Sequence, residues 1–148
     1  MAGNTIRAGI AGSGFAARFH YEALERVHGT NVEVVGVYSP TAKNRSAFAD
    51  ERGLRAFDSL EALVDAVDVV HVCTPPATHE PVAVSALGAG RSVIIEKPFT
   101  GYFGDGSADF SGDRFPREDG LKGAREAIAR LREAEASSSG QILYAENW

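Results

Sequence analysis

Residues 12 to 17 read Gly12-Ser13-Gly14-Phe15-Ala16-Ala17 and directly follow an apolar run at 5–11. An apolar run that stops at glycines is typical of a buried parallel strand that turns into a helix. The turn matches G-x-G-x-x-A, a variant of the dinucleotide fingerprint in which Gly12 allows the tight turn and Gly14 lets the backbone approach a pyrophosphate. The alternative is a turn that only reverses the chain. The candidate cofactor contacts are Gly12, Ser13, Gly14, Phe15 and Ala16.

Strands and helices alternate outward from this turn. Apolar and valine-rich runs predict strands at 5–11, 32–38, 54–57, 68–73 and 92–96. Helical spacing with glycine or proline at the boundaries predicts helices at 15–28, at 41–52, from 59 onward and at 77–89. This order predicts a Rossmann-type α/β fold, a doubly wound parallel sheet of about six strands with helices on both faces.

The regular alternation stops after the fifth strand. Residues 99–119 are dense in glycine, aspartate and aromatic residues and predict a long loop, which is either a lid or interface or an ordinary surface loop. Helical spacing returns between Leu121 and Leu131, and the cluster at 137–140 ends that helix. Residues 141–148 predict a last strand.

The composition limits the class of protein. A chain of 148 residues with 44% hydrophobic content suits one domain, covering 1–148. A net charge of −5 with scattered basic residues argues against nucleic acid and membrane as partners, and no apolar stretch reaches membrane-spanning length. The single cysteine, Cys73, favours a reducing compartment, the cytoplasm, and is interpreted as a buried thiol. His20, His28 and His71 lack metal-ligand spacing, so we expect no metal.

The end of the second strand bears on the choice of cofactor. An acid at this point usually holds the adenosine ribose of NAD. Here Ser39 takes that place, with Lys43 and Arg45 close behind. A hydroxyl and two cations suit the 2′-phosphate of NADP, so the sequence favours NADP over NAD. The alternative is that Lys43 and Arg45 form only the solvated face of a helix.

A second cluster follows the fourth strand. The carboxyl ends of parallel strands form the edge where open α/β sheets bind ligands. Thr74 and Pro75 leave the strand at this edge, and we expect them to contact the cofactor. His79 either hydrogen-bonds near the nicotinamide or has a structural role.

A third cluster, Glu96-Lys97-Pro98, follows the fifth strand. Two opposite charges at the end of a buried strand need a reason to be there. Lys97 can orient a substrate hydroxyl and Glu96 can bind a ribose hydroxyl. A plain surface Glu-Lys pair is the alternative, and both a cis and a trans bond before Pro98 are open.

Three segments, at 9–17, 72–79 and 93–98, together resemble the N-terminal domain of the Gfo/Idh/MocA family of oxidoreductases. Many families share the glycine turn, whereas Glu-Lys-Pro after the fifth strand is much more specific. The resemblance implies a nicotinamide cofactor and hydride transfer to or from a sugar, polyol or related hydroxyl-bearing substrate. It also implies that Lys97 is the active-site lysine that hydrogen-bonds the reacting oxygen, that Glu96 lies near the nicotinamide ribose and that Pro98 fixes their geometry.

In that family a second domain follows and supplies most substrate contacts. Residues 141–148 resemble the strand that crosses into it, so we expect the C-terminal substrate domain to be absent here and the chain alone to be inactive. A truncated chain is favoured over a natural cofactor module. The oligomeric state stays open, with a homo-oligomer among the alternatives. Two other functions compete: a non-catalytic nucleotide-binding or redox-sensing module, and part of an NAD-dependent glycoside hydrolase.

Overall fold

The computed structural model describes residues 5–104, 106 and 109–146. Within these residues, six strands form one sheet in the order β3-β2-β1-β4-β5-β6, and every neighbouring pair is parallel. The strands are β1 (Ile6–Ala11), β2 (Val32–Tyr38), β3 (Arg55–Phe57), β4 (Val69–Val72), β5 (Ser92–Glu96) and β6 (Ile142–Ala145). The first strand, β1, lies in the middle of the sheet. Strands β2 and β3 follow towards one edge, and β4, β5 and β6 follow towards the other. This doubly wound order confirms the predicted Rossmann-type α/β fold.

Helices cover both faces of the sheet, as predicted. They are α1 (Phe15–Leu24), α2 (Ala42–Arg52), α3 (Leu60–Ala66), α4 (His79–Gly88) and α5 (Arg117–Ala136). A 3₁₀ turn over Pro76–Thr78 precedes α4, so the helix predicted at 77–89 is divided. Within the described ranges, no helix combines the length and the apolar character that crossing a bilayer requires.

Side chains alternate between the two faces of each strand, and the core is divided accordingly. Ile10 packs with Ala17 of α1 and Phe48 of α2 on one face. Its neighbour Ala11 points to the other face, where it belongs to the larger cluster with α3, α4 and α5. Since α1 and α2 lie over β1, β2 and β3, they leave the β4-β5-β6 half of their own face open to a groove.

The first helix is shorter than its hydrophobic spacing predicts. The pattern predicts 15–28, but α1 ends at Leu24. The Arg26 N–H then donates to the Ala23 carbonyl at 3.1 Å and the Val27 N–H to the Leu24 carbonyl at 3.2 Å. These hydrogen bonds between residues i and i+3 form tighter, 3₁₀-type turns after α1, so the α-helical hydrogen-bond pattern does not continue to residue 28. Gly29, the glycine that follows the predicted helix, has φ 82° in the loop after α1.

The loop after β5 is shorter than predicted because α5 begins at Arg117, which limits the irregular segment to 99–116. Residues 105, 107 and 108 of that segment lie outside the described ones. Glu118 and Asp119 occupy the first turn of α5, where acidic side chains stabilise the positive end of the helix dipole. Charged residues do not show in a hydrophobic pattern, so the pattern marks the start of the helix too late. The last strand covers Ile142–Ala145, and its predicted end at 147–148 lies outside the described residues.

Gly36 of β2 offers a test of how closely the sheet edge is packed. A Cβ on Gly36 would lie 2.3 Å from the Arg55 carbonyl oxygen and 2.5 Å from the Phe57 ring. We expect Gly36→Ala to lower the free energy of unfolding by about 1–3 kcal/mol, because neither the backbone of β3 nor the buried ring can move freely. Urea unfolding followed by circular dichroism measures the change.

The matched control is Gly88→Ala at the end of α4, where a Cβ meets none of the described atoms within 4 Å. This variant is expected to keep or slightly raise stability because alanine favours helix. Equal stability of the two variants would contradict the close approach of β2 and β3.

Candidate dinucleotide-binding site

The glycine turn leaves β1 at a point where the backbone has no room for a side chain. Gly12 has φ +115°, and a Cβ there would lie 2.4 Å from the Cys73 carbonyl oxygen. The Gly12 N–H donates to the Tyr38 carbonyl at 2.7 Å, so the turn is also tied to the end of β2. Both the conformation and the space require glycine at this position.

The N-terminus of α1 faces open space. Gly14 precedes the helix in an extended conformation, and no described side chain caps it. The first turn of α1 holds no acidic residue, and a Cβ on Gly14 would meet none of the described atoms within 4 Å. Free N–H groups at the positive end of a helix dipole suit an anion such as a pyrophosphate. The predicted contacts at Phe15 and Ala16 line the groove that begins here.

The predicted ribose region brings Ser13, Ser39 and Arg45 together. The Ser13 hydroxyl donates to the Ser39 hydroxyl at 3.1 Å. Arg45 Nη1 donates to the Ser39 carbonyl at 3.3 Å, and Arg45 Nη2 forms an ion pair with Asp58 at 2.7 Å. Lys43 lies exposed on the same helix, α2. The structure thus places one predicted cation, Arg45, against the end of β2 and leaves the other in solvent.

Thr74 follows β4 and lines the groove, and Pro75 introduces the 3₁₀ turn after it. The Thr74 Oγ1 is buried and has no hydrogen-bond partner among the described residues. A buried hydroxyl without a partner is costly, so this atom fits a polar group of a bound ligand. Together with the open N-terminus of α1, it shows that the residues present fit a dinucleotide.

His79, for which the sequence leaves both a structural role and a contact near the nicotinamide open, is buried between two turns. Its ring is 1% exposed, with Nδ1 2.9 Å from the Pro98 carbonyl oxygen and Nε2 2.9 Å from the Thr74 carbonyl oxygen. Both nitrogens are thereby occupied by the main chain, and the ring does not line the groove. The ring thereby links the turns after β4 and β5, and the contact between His79 and the cofactor stays a prediction.

The third predicted cluster lies at the same edge as the glycine turn. The Lys97 N–H donates to Glu96 Oε2 at 3.1 Å, and the peptide bond between Lys97 and Pro98 is cis. Glu96 and Lys97 line the groove with Phe15, Ala16 and Thr74. Five of the predicted site residues therefore share one groove, which has a volume of about 1210 Å³.

Two histidines in this groove were not predicted as site residues. His20 Nδ1 lies 2.7 Å from His71 Nδ1, and His20 Nε2 lies 3.0 Å from Glu96 Oε1. Burial, and secondly the neighbouring His20, lower the pKa of His71 from 6.5 to about 3. Burial, and secondly Glu96, raise the pKa of the Cys73 thiol, which fits its interpretation as a buried thiol. The available signal for His71 was one polar residue inside the apolar strand Val69–Val72.

The uncapped helix after a glycine turn and the Glu-Lys-Pro corner in the same groove define a dinucleotide-binding Rossmann domain. The family model described as "Oxidoreductase family, NAD-binding Rossmann fold" matches residues 6–108. The chain belongs to this family, Gfo/Idh/MocA, as its sequence motifs indicated.

Two curated relatives and one solved structure show the extent of the similarity. The UDP-N-acetylglucosamine 3-dehydrogenase of Acidithiobacillus ferrooxidans is 38% identical over 95 residues, which cover 64% of this chain and 29% of that protein. The glucose-6-phosphate 3-dehydrogenase of Bacillus subtilis is 37% identical over 90 residues, which cover 61% of this chain and 25% of that protein. The WlbA dehydrogenase from Bordetella pertussis, solved in complex with NADH and UDP-GlcNAcA, shares the fold with a TM-score of 0.74 at 23% identity, covering 96% of this chain and 37% of that chain. The chain thus spans less than half the length of each.

The buried ring of His71 predicts a loss of stability in mild acid. The unfolded ring takes up a proton near pH 6.5, whereas the folded ring stays neutral down to about pH 3. The unfolded state therefore binds more protons as the pH falls, and we expect the free energy of unfolding to drop by about 2 kcal/mol between pH 7 and pH 5. Urea unfolding at the two pH values measures this drop.

Replacement of the His71 ring shows how much of this drop in the free energy of unfolding comes from His71 and how much from other titrating groups. His71→Asn carries no titrating group and should remove most of the drop, whatever its own stability, whereas His28→Asn alters an exposed residue and should retain it. Equal stability of the unmodified chain at pH 7 and pH 5 would contradict a buried neutral ring.

Proposed function

We propose that this chain is the cofactor-binding domain of an NAD(P)-dependent dehydrogenase that acts on a hydroxyl or carbonyl group of a sugar, polyol or related substrate. The observation that carries the proposal is the shared groove, which joins an open helix N-terminus at Gly14 to the Glu96-Lys97 corner. This arrangement supports a phosphate-binding role for the helix N-terminus and a role for Lys97 as the ionisable group near the reacting oxygen, both at one edge of the sheet.

Each part of this edge has a distinct task. The free N–H groups at Phe15 and Ala16 bind the pyrophosphate, and the Thr74 hydroxyl donates to a polar group of the cofactor. A bound nicotinamide supplies the hydride acceptor or donor. Glu96 holds the nicotinamide ribose, and Lys97 donates a hydrogen bond to the reacting oxygen of the substrate.

The substrate side of the site requires residues beyond this chain. Relatives with the matching segment are dehydrogenases of sugars, and the segment spans 29% and 25% of their lengths. We propose that residues 141–148 begin the crossover to a substrate domain and that this chain alone binds cofactor without turnover. A cytoplasmic location is supported by the single free cysteine, Cys73.

Cofactor titration of Gly14→Val tests the binding proposal. Gly14 has φ −90°, which any residue adopts, and the space before it is open, so valine should leave the fold intact. The same side chain would occupy the space proposed for the pyrophosphate. We expect the dissociation constant for NADH and NADPH, measured by fluorescence, to rise by about tenfold or more because the phosphates lose their backbone contacts.

Gly88→Ala, remote from the groove, serves as the control and should bind as the unmodified chain does. If neither NADH nor NADPH binds the folded chain, or if Gly14→Val binds both unchanged, the proposed site is wrong. The redox-sensing alternative would be favoured if this chain binds the cofactor, the bound cofactor is reversibly oxidised and reduced, and no further domain is needed for either.

We further propose a preference for NADP over NAD. Arg45 is anchored on the Ser39 carbonyl at the end of β2, and residues 38–41 of the chain include no acid. Ser39 and Ser13 add hydroxyls at the same point. A guanidinium beside two hydroxyls suits the 2′-phosphate of NADP. At the same position NAD has an uncharged 2′-hydroxyl, which offers Arg45 no charged partner.

A Lys43→Ala and Arg45→Ala double variant tests this preference. We expect the affinity for NADPH to fall about tenfold, because charge-assisted hydrogen bonds to the phosphate are lost, and that for NADH to change little. Isothermal titration with both cofactors gives the ratio. Asp58→Asn is the matched control, since it releases Arg45 from its ion pair and should keep or raise NADPH affinity. Unchanged NADPH affinity in the double variant would remove the argument.

A further inference from the structure

Three polar side chains from three elements form a continuous chain of hydrogen bonds in the groove. His71 of β4 and His20 of α1 meet through their Nδ1 atoms at 2.7 Å, with an angle of 85° between the ring planes. His20 Nε2 lies 3.0 Å from Glu96 Oε1, and Glu96 Oε2 accepts the Lys97 N–H at 3.1 Å. The function proposed above uses Glu96 and Lys97 but neither histidine.

The chemistry of these contacts limits where the protons lie. A carboxylate oxygen only accepts, so His20 Nε2 carries the proton that joins it to Glu96. The contact between the two Nδ1 atoms holds one further proton, carried either by a neutral His71 or by His20 as an imidazolium. In both arrangements the His20 Nε2–H points at the carboxylate and the buried His71 stays neutral.

The cluster is arranged for side-chain orientation and not for a metal ion. Ligands of one ion direct their lone pairs at a common centre, whereas the two Nδ1 atoms here point at each other within hydrogen-bond distance. Among the described residues, no group of three or more His, Cys, Asp or Glu side chains is placed to hold a metal. The histidines therefore act on Glu96 through hydrogen bonds.

The position of the cluster links two parts of the proposed site. His20 lies on α1, the helix whose N-terminus follows the glycine turn, and Glu96 lies next to Lys97 at the end of β5. The side chains of His20 and Glu96 are largely buried, at 11% and 21% exposure, so water competes weakly for these bonds. A shift of α1 relative to β5 would break the contact between His20 and Glu96.

We propose that His20 and His71 are positioning residues that hold the Glu96 carboxylate, and through it the Lys97 main chain, in one orientation relative to the cofactor-binding helix. The hydrogen bond between His71 and His20 fixes the ring of His20, and His20 in turn fixes Glu96. The consequence for catalysis rests on the proposed function of the site, whereas the hydrogen-bonded chain itself does not.

Histidine tautomers provide a direct test. In long-range ¹H–¹⁵N spectra of the 148-residue chain labelled at histidine, His20 Nε2 should be protonated and His71 should be neutral. His71→Leu removes the bond to His20, and we expect amide exchange of Lys97 to rise about tenfold, as for the loss of one hydrogen bond. His71→Asn places an amide where Nδ1 stood and should restore both the His20 signal and slow exchange, which a merely structural filler would not do.

His28→Asn, an exposed histidine outside the cluster, is the matched control and should change neither readout. An unprotonated His20 Nε2 in the unmodified chain, or Lys97 exchange that is the same in His71→Leu and His71→Asn, would overturn the positioning role. In the same samples, NADH should bind about threefold to tenfold more weakly to His71→Leu than to His71→Asn. Absence of NADH binding by the unmodified chain would overturn the proposed function, while the histidine spectra still decide the positioning role.

Discussion

The close approach of three strand ends at Gly12 is the constraint on which the site depends. The Gly12 N–H donates to the carbonyl of Tyr38 in β2, and the Cys73 N–H donates to the carbonyl of Ala11 in β1 at 2.8 Å. A side chain at Gly12 would collide with the Cys73 carbonyl, so only glycine lets β1 end between its two neighbours. The chain then enters α1 with its N–H groups above this junction. The proposed phosphate binding therefore depends on how the central strand ends.

Several polar side chains lie at this edge of the sheet, and they differ in how many of their polar atoms are already hydrogen-bonded to the protein. His79 is buried with both nitrogens on main-chain carbonyls, so it joins two turns and has no capacity left for a ligand. Thr74 is buried with its hydroxyl unpartnered among the described residues, so it retains that capacity. Glu96 lies between these extremes, because protein groups occupy both carboxylate oxygens at the rim of the groove. The hydrogen bonds thus show which of these residues retain a free polar atom, which their positions in the sequence do not show.

Local signals in the sequence were sufficient for most of the fold. Apolar runs bounded by glycine or proline marked the first five strands to within about a residue, and the glycine turn marked the start of α1. The start of α5 was misplaced because Glu118 and Asp119 stabilise a helix through its dipole and carry no hydrophobic period. The pairing of His20 with His71 and Glu96 joins residues separated by 51 and 76 positions. Only the tertiary fold brings His20 of α1 beside the ends of β4 and β5, so neither spacing nor composition could reveal the contacts.

The environment of Arg45 fits the proposed 2′-phosphate site without leaving an unpaired buried charge. The side chain of Arg45 is 14% exposed, whereas its partner Asp58 is 94% exposed. An ion pair with a fully solvated carboxylate contributes about 0–1 kcal/mol, so it keeps the guanidinium neutralised at little cost to release. The bond from Arg45 to the Ser39 carbonyl does not involve Asp58, so it can hold the cation at the end of β2 when that carboxylate is displaced. A phosphate at this point would meet a preoriented guanidinium and two hydroxyls, which supports the proposed preference for NADP on structural grounds independent of the missing acid.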